Sequence, residues 1–314
     1  MLLSCFAARK WILNFLAPAV IAVTIGAGLS HAPAAAAGSP PLTVEHLCKA
    51  IGAKLGSVSI KECRSQKLIP SGLHSAKGYP LAYTSYPPLE GREPKGRILL
   101  LGGIHGDEYA SVSVLFKWMT TLNKHHSGLF NWQVIPLANP DGLLRRKSQR
   151  QNNHGVDLNR NFPTPDWNDK ALQYWEKRTY KNKRRYPGPI AASEVETQWL
   201  MHMIAEFKPD AIISVHAPHK LIDFDGPHNP PQQLGKLQLR PLGTYPGSLG
   251  NYGGMHLDIP VLTVELPFAG IMPGKGEISK MWTDLVGWLI REVPKQKQRR
   301  LALTSAGMQG PEPK

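Results

Sequence analysis

Three short stretches hold residues able to grip a metal ion and move a proton. Gly102-Gly103-Ile104-His105-Gly106-Asp107-Glu108 sets an imidazole and a carboxylate three residues apart. That spacing alone recurs by chance, so its weight depends on its company. Ser214-Val215-His216 adds a second imidazole at the end of an apolar run. Val261-Leu262-Thr263-Val264-Glu265-Leu266 carries a carboxylate inside another apolar run. Such a carboxylate is costly without a partner, so Glu265 is either half of a buried ion pair or part of a site. His105, Glu108 and His216 together make a His₂Glu set. That set suits a catalytic zinc ion, because three protein ligands leave a position open for water.

The elements around these residues fit one architecture. Arg97 to Gly102, Trp132 to Leu137, Ala211 to Val215 and Pro260 to Leu266 read as strands, several apolar throughout. Ala110 to Leu122 and Ser279 to Val293 read as helices. Ser193 with Glu196 reads as a capping box opening a helix that runs to about Phe207. Asn139-Pro140-Asp141-Gly142 is a turn signature. Strands alternating with helices predict an α/β fold, with a mixed, mainly parallel central sheet flanked by helices. Ligands in such sheets gather at the carboxyl ends of strands, where His105, His216 and Glu265 all fall.

The ordered set H-G-D-E, N-P-D-G, G-V-D-L-N-R-N-F, S-V-H and T-V-E-L-P resembles the zinc metallocarboxypeptidase family over roughly residues 80 to 290. Finer details resemble its bacterial murein-peptide branch. They are the H-G-D-E form, Arg-Gln-Asn-Asn-His before Gly-Val-Asp, Asp-Phe-Asp-Gly-Pro after the third ligand, and Pro-Gly-Ser-Leu-Gly-Asn-Tyr before the last strand. The resemblance implies one zinc ion on His105, Glu108 and His216, and Asp157 fixing the His105 ring through its other nitrogen. It implies Glu265 as general base and Arg150 as the arginine facing the developing oxyanion. Asn159 and Arg160 would hold the substrate's terminal carboxylate, since a guanidinium can meet a carboxylate with two bonds. Tyr245 is shifted from the register of the family's mobile tyrosine. Leu249 matches the floor of its specificity pocket and argues against simple Lys/Arg specificity. Asn251, Tyr252 and Asp225 are further candidates for contacting a diaminopimelate side chain. His219 and His228 have no place in the scheme, and His125, His126 and His154 read as surface residues.

The resemblance implies hydrolysis of the γ-D-glutamyl–meso-diaminopimelate bond of peptidoglycan stem peptides. The expected partner is a murein peptide or another peptide with a free C-terminal carboxylate, and no nucleic acid. Competing readings are a carboxypeptidase for ordinary L-peptides, a deacylase of N-acyl amino acids, and an inactive cell-wall binding protein. The last would be expected to have lost a ligand or the base.

Arg9 and Lys10, the apolar stretch from Trp11 to about Leu29, and small residues from Ala32 to Gly38 have the order of a secretory signal peptide. An uncleaved anchor is the alternative; with cleavage the chain keeps no stable membrane anchor. A periplasmic or secreted chain would favour a Cys48–Cys63 disulfide over two buried thiols. The expected organisation is therefore a signal peptide over 1–37 and an N-terminal segment over 38–88. A catalytic domain follows over 89–293, with a disordered basic tail over 294–314. The formal net charge of the 314-residue chain is +14. Residues 145–186 hold 12 Lys/Arg against 4 Asp/Glu, and residues 291–314 hold 6 against 2. The excess is thus a local bias near the site plus a basic end, and it points away from a nucleic-acid surface.

Overall fold

Four consecutive aliphatic side chains, Ile98 to Leu101, are wholly buried, which requires cover on both faces of their strand. Residues 41–305 are described by the computed structural model. The elements run α1 (Val44–Lys54), α2 (Ile60–Ser65), β1 (Ile69–His74), β2 (Pro80–Tyr86), β3 (Arg97–Gly102), α3 (Tyr109–His125), β4 (Asn131–Ile135) and α4 (Pro140–Leu144). Then come α5 (Trp167–Lys177), α6 (Val195–Phe207), β5 (Ala211–His216), β6 (Leu221–Asp225), β7 (Gln233–Leu234), β8 (Leu237–Leu239), β9 (Val261–Glu265) and α7 (Lys275–Ser305). The strands lie in the order β1-β2-β4-β3-β5-β9-β6-β8-β7. The centre, β4-β3-β5-β9, is parallel. β2 and β6 flank it antiparallel, and both outer hairpins, β1-β2 and β7-β8, are antiparallel too. The sheet is therefore mixed as expected, but parallel only at its centre and in the β6-β8 pair.

Side chains alternate strictly between the two faces. Ile98, Leu100, Ala211, Ile213, Val215, Leu262 and Val264 pack with α3 and α7. Leu99, Leu101, Ile212 and Val261 pack on the other side with Trp199 and Leu200 of α6. By the same period of two, Ser214, His216, Thr263 and Glu265 belong to the α6 face. Register puts His216 opposite Glu265, and Glu265 opposite Leu221 of β6.

Three details differ from the sequence reading. The described part of the expected 38–88 segment, residues 41–88, is not separate from the domain that follows. β2 is a strand of the main sheet, and Leu47, Cys48, Ile51 and Cys63 lie in the same core as β3 and α3. The boundary at residue 88 is invisible to the hydrophobic contacts that decide it. α6 starts at Glu194 as N-cap with no side-chain cap bond; the Ser193 hydroxyl bonds Glu194 instead of closing a capping box. The last helix also passes through Pro294 and continues to Ser305, where a disordered tail was expected. Leu285, Leu289, Val293 and Gln296 form one buried stripe across that proline. Beyond it Lys297 pairs with Glu93, Arg299 with Asp258 and Arg300 with Asp210. A basic run reads as solvated only while its carboxylate partners, distant in sequence, are unknown. The expected signal peptide lies outside the described residues, as do residues 306–314. Among the described residues no helix is long and apolar enough to cross a membrane.

Cys48 and Cys63 are joined in a disulfide that ties α1 to α2, with both residues fully buried. Closing a loop of sequence separation 15 should stabilise the fold by about 3 kcal/mol. Urea denaturation of Cys48→Ala/Cys63→Ala should show a loss of that order. An unchanged midpoint would mean that the surrounding core alone holds the two helices.

Candidate active site

The chain leaving β3 turns sharply before α3. A Cβ on Gly106 would lie 2.1 Å from the carbonyl carbon of Gly142, so only glycine lets the two loops touch. Asn139 locks that contact. Its Oδ1 accepts from Gly142 N–H, capping α4, while its Nδ2 donates to the carbonyls of Ile104 and Arg150. The N-P-D-G signature is thus the start of a short helix that clamps the H-G-D-E loop to the Arg150 loop. Asp141 accepts from Ser75 Oγ and Lys77 N–H, fixing the clamp to the N-terminal strands.

On this frame His105, Glu108 and His216 converge. His105 Nδ1 lies 2.8 Å from Glu108 Oε1, and His216 Nδ1 lies 3.1 Å from both Glu108 Oε2 and His105 Nδ1. All three residues are buried. Zinc bonds of about 2.0–2.1 Å in a tetrahedron would set ligand atoms roughly 3.3 Å apart, so the donors present fit that ion in number, type and spacing. The outer ring nitrogens are also held. His105 Nε2 donates to Asp157 Oδ1 at 3.1 Å, and His216 Nε2 shares a hydrogen bond with Ser214 Oγ at 2.9 Å. Both imidazoles therefore keep Nδ1 aimed inward. Ser214 was not assigned a role from sequence. Its signal was present, because residues i and i+2 of a strand share a face.

Asp157 is fully buried and joins the site together. Besides His105 it accepts from Arg150 Nε at 2.8 Å and from the N–H of Asn159. Burial opposes its charge, yet Arg150 and His105 hold its carboxyl well below the usual range. Burial likewise opposes the charge on Glu108, and the two imidazoles outweigh it and lower its pKa. An Arg150 Nη lies 3.5 Å from Glu108 Oε1, which puts that guanidinium at the rim of the metal site. Glu265 ends β9 beside His216, and its Oε2 faces the N–H of His219 at 3.4 Å.

The short 3₁₀ turn Leu158–Arg160 delivers the last pair. Asn159 Oδ1 accepts from Leu249 N–H, tying this turn to the Gly247–Leu249 loop. Arg160 is buried with its Nε unpartnered, and the Tyr245 ring lies 4.4 Å from its guanidinium carbon. Burial pulls its pKa down to about 10 against the attraction of Asp157. A buried cation with an unmet donor is suited to receive a carboxylate. Tyr245 therefore sits at this clamp, its hydroxyl on Leu242 O. Leu249 is buried in the core beside the stacked rings of Phe162 and Tyr252. The Asn251 side chain is engaged with Tyr245 O and Asp166. Asp225 lies on β6 against Gly250, and burial pushes its carboxyl up to about 7. The His219 side chain is exposed, although its backbone N–H faces Glu265, and His228 bonds Gln296.

An open α/β sheet with a His₂-carboxylate cluster and a facing carboxylate at its carboxyl ends defines a metal-dependent hydrolase. Comparison with known proteins narrows the class. The family model for zinc carboxypeptidases matches residues 71–238, and the chain belongs to that family. It is 32% identical over 180 residues to murein peptide amidase A of Escherichia coli K12, covering 54% of this chain and 70% of that protein. It is 31% identical over 200 residues to murein peptide amidase A of Vibrio campbellii, covering 62% and 77%. The fold also matches bovine thrombin-activatable fibrinolysis inhibitor, solved with a tick carboxypeptidase inhibitor. That match has a TM-score of 0.56 and 15% identity, covering 82% of this chain and 98% of that one.

Two measurements probe this frame. Asp157→Asn should weaken zinc binding roughly 10- to 100-fold in a competition titration, because the His105 ring loses its anchor. The second concerns Glu196, whose Oε2 accepts from Asn152 in the loop after Arg150 while its Oε1 has no partner. Burial pushes this carboxyl from 4.5 up to about 7. The folded state then binds the proton more tightly than the unfolded state. Stability should fall as pH rises from about 4.5 to 7, by on the order of 3 kcal/mol, and stay low above. Glu196→Gln should flatten that part of the melting-temperature profile.

Proposed function

We propose that this chain is an exported zinc peptidase that hydrolyses the γ-D-glutamyl–meso-diaminopimelate bond of murein stem peptides. The observation that carries the reading is the pairing of the His105–Glu108–His216 cluster with a buried, donor-rich Arg160. The cluster can act on an amide bond; the arginine selects a substrate with a free carboxylate beside that bond. The murein branch is supported by the two murein peptide amidases that the chain resembles. Export is supported by the order of basic, apolar and small residues at the N-terminus, and the Cys48–Cys63 disulfide fits an oxidising compartment.

His105, Glu108 and His216 would hold the zinc ion, which supplies Lewis-acid polarisation of the scissile carbonyl and an acidified water. Arg160 and Asn159 bind the terminal carboxylate and so set which amide reaches the cluster. Glu265 takes the proton of the attacking water and returns it to the departing amine. Arg150 is held by Asp157 through Nε at the rim, where its outer guanidinium edge, one nitrogen 3.5 Å from Glu108, can meet the oxygen that gains charge. Asp157 serves both groups and orients them together.

Mass spectrometry of L-Ala-γ-D-Glu-meso-diaminopimelate incubated with zinc-loaded protein should show release of diaminopimelate. A chelator should abolish it and added zinc restore it. Glu265→Gln should lower kcat at least 10³-fold, and Arg150→Ala by roughly 10²- to 10³-fold. Turnover of benzoyl-amino acids with the tripeptide left intact would replace this reading with an ordinary carboxypeptidase.

A further inference from the structure

A cavity of about 570 Å³ beside the site is lined by Arg145, Arg146, Lys147, Ser148, Gln151 and Arg184, with no acidic residue in its wall. Arg145, Arg146 and Lys147 are exposed, and none makes an ion pair with any described residue. Arg184 alone has a carboxylate partner, Asp107 at 2.6 Å.

The loop that presents these cations is built with care. Lys54 of α1 donates its ammonium to the carbonyls of Arg145 and Arg146 at 2.9 and 3.1 Å. Tyr109 Oη donates to Ser148 Oγ, which in turn donates to Leu143 O. Gln151 Nε2 donates to Lys183 O, joining the two walls. A backbone held at these points thus presents three cations without a carboxylate partner among the described residues, and an anion in the cavity would supply one.

Both walls lead to the metal site. One continues into Arg150, at the rim of the cluster; the other is bonded to Asp107, next to Glu108. The carboxylate clamp at Asn159 and Arg160 shares no residue with the cavity. Since Arg160 takes the carboxylate of the leaving group, the cavity is left for the part of the substrate across the scissile bond.

We propose that this cavity is an anion subsite, receiving a carboxylate or phosphate carried on the acyl side of the substrate. The placement on the acyl side rests on the proposed peptidase reading; the affinity for anions does not. A γ-linked D-glutamyl residue keeps its α-carboxylate free on that side, whereas an α-linked peptide bond consumes it. A phosphate further along a wall polymer would present the same chemistry.

The test uses the triple variant R145Q/R146Q/K147Q, which leaves Arg150 and the metal ligands in place. Zinc-loaded Glu265→Gln protein, with and without the triple change, is titrated calorimetrically with three probes. These are the acid tripeptide, the same tripeptide with the D-glutamyl α-carboxylate amidated, and inorganic phosphate. A carboxylate source predicts that the triple change weakens the acid tripeptide about tenfold and leaves the amidated one unchanged. In the active protein KM should rise by the same factor with kcat within twofold, and the effect should shrink at high salt. A phosphate source predicts loss of phosphate binding with both tripeptides unaffected. All three probes binding equally to both proteins would overturn the subsite. Failure of the active protein to cleave the tripeptide would instead remove the peptidase reading, and the phosphate titration would still report on the cavity.

Discussion

The site depends on one buried carboxylate with no access to water. Asp157 must find enough donors to offset its desolvation, and it finds them in His105, Arg150 and the N–H of Asn159. Each donor belongs to a different working part: the metal cluster, the rim arginine and the carboxylate clamp. The electrostatic need of a single side chain thereby sets the relative positions of three functional groups. Removing Asp157 would leave Arg150 and His105 as uncompensated neighbours as well as loosening their aim.

The sheet supplies the complementary constraint. A period of two fixes which residues of β5, β6 and β9 look toward α6, and that face carries Ser214, His216, Thr263, Glu265 and Asp223 at or near adjacent strand ends. The opposite face of the same strands is aliphatic and packs on α3 and α7. A shift of one residue in the β5–β9 register would send either His216 or Glu265 into that apolar core. The hydrophobic pattern and the chemistry thus enforce the same pairing.

Much of this was legible in the sequence because it is local or periodic. The apolar runs of β3, β5 and β9 announced buried strands, and the polar residue at the end of each announced a site. The metal set followed from residue types placed at strand ends, together with the ordered motifs that carry the family resemblance. What stayed hidden depends on contacts remote in sequence. The lysines and arginines after Pro294 look solvated until Glu93, Asp210 and Asp258 are found beside them. The leading helices look like an appendage until Leu47 and Ile51 are seen in the main core. Glu194 displaced Ser193 as the cap of α6 because Asn161, Asn152 and His154 draw it there. The N-P-D-G turn revealed its purpose only through the carbonyls of Ile104 and Arg150.

The far end of α7 has a geometric meaning of its own. Arg300 binds Asp210, and the same aspartate accepts from the N–H of Arg97. Asp210 and Arg97 stand where β5 and β3 begin, while the metal cluster stands where they finish. The helix therefore closes against the base of the parallel strands, a full strand length from the catalytic mouth. A surface or a bulky carrier attached near residue 300 would hold the enzyme with its cleft facing outward, open to a substrate as large as a polymer network.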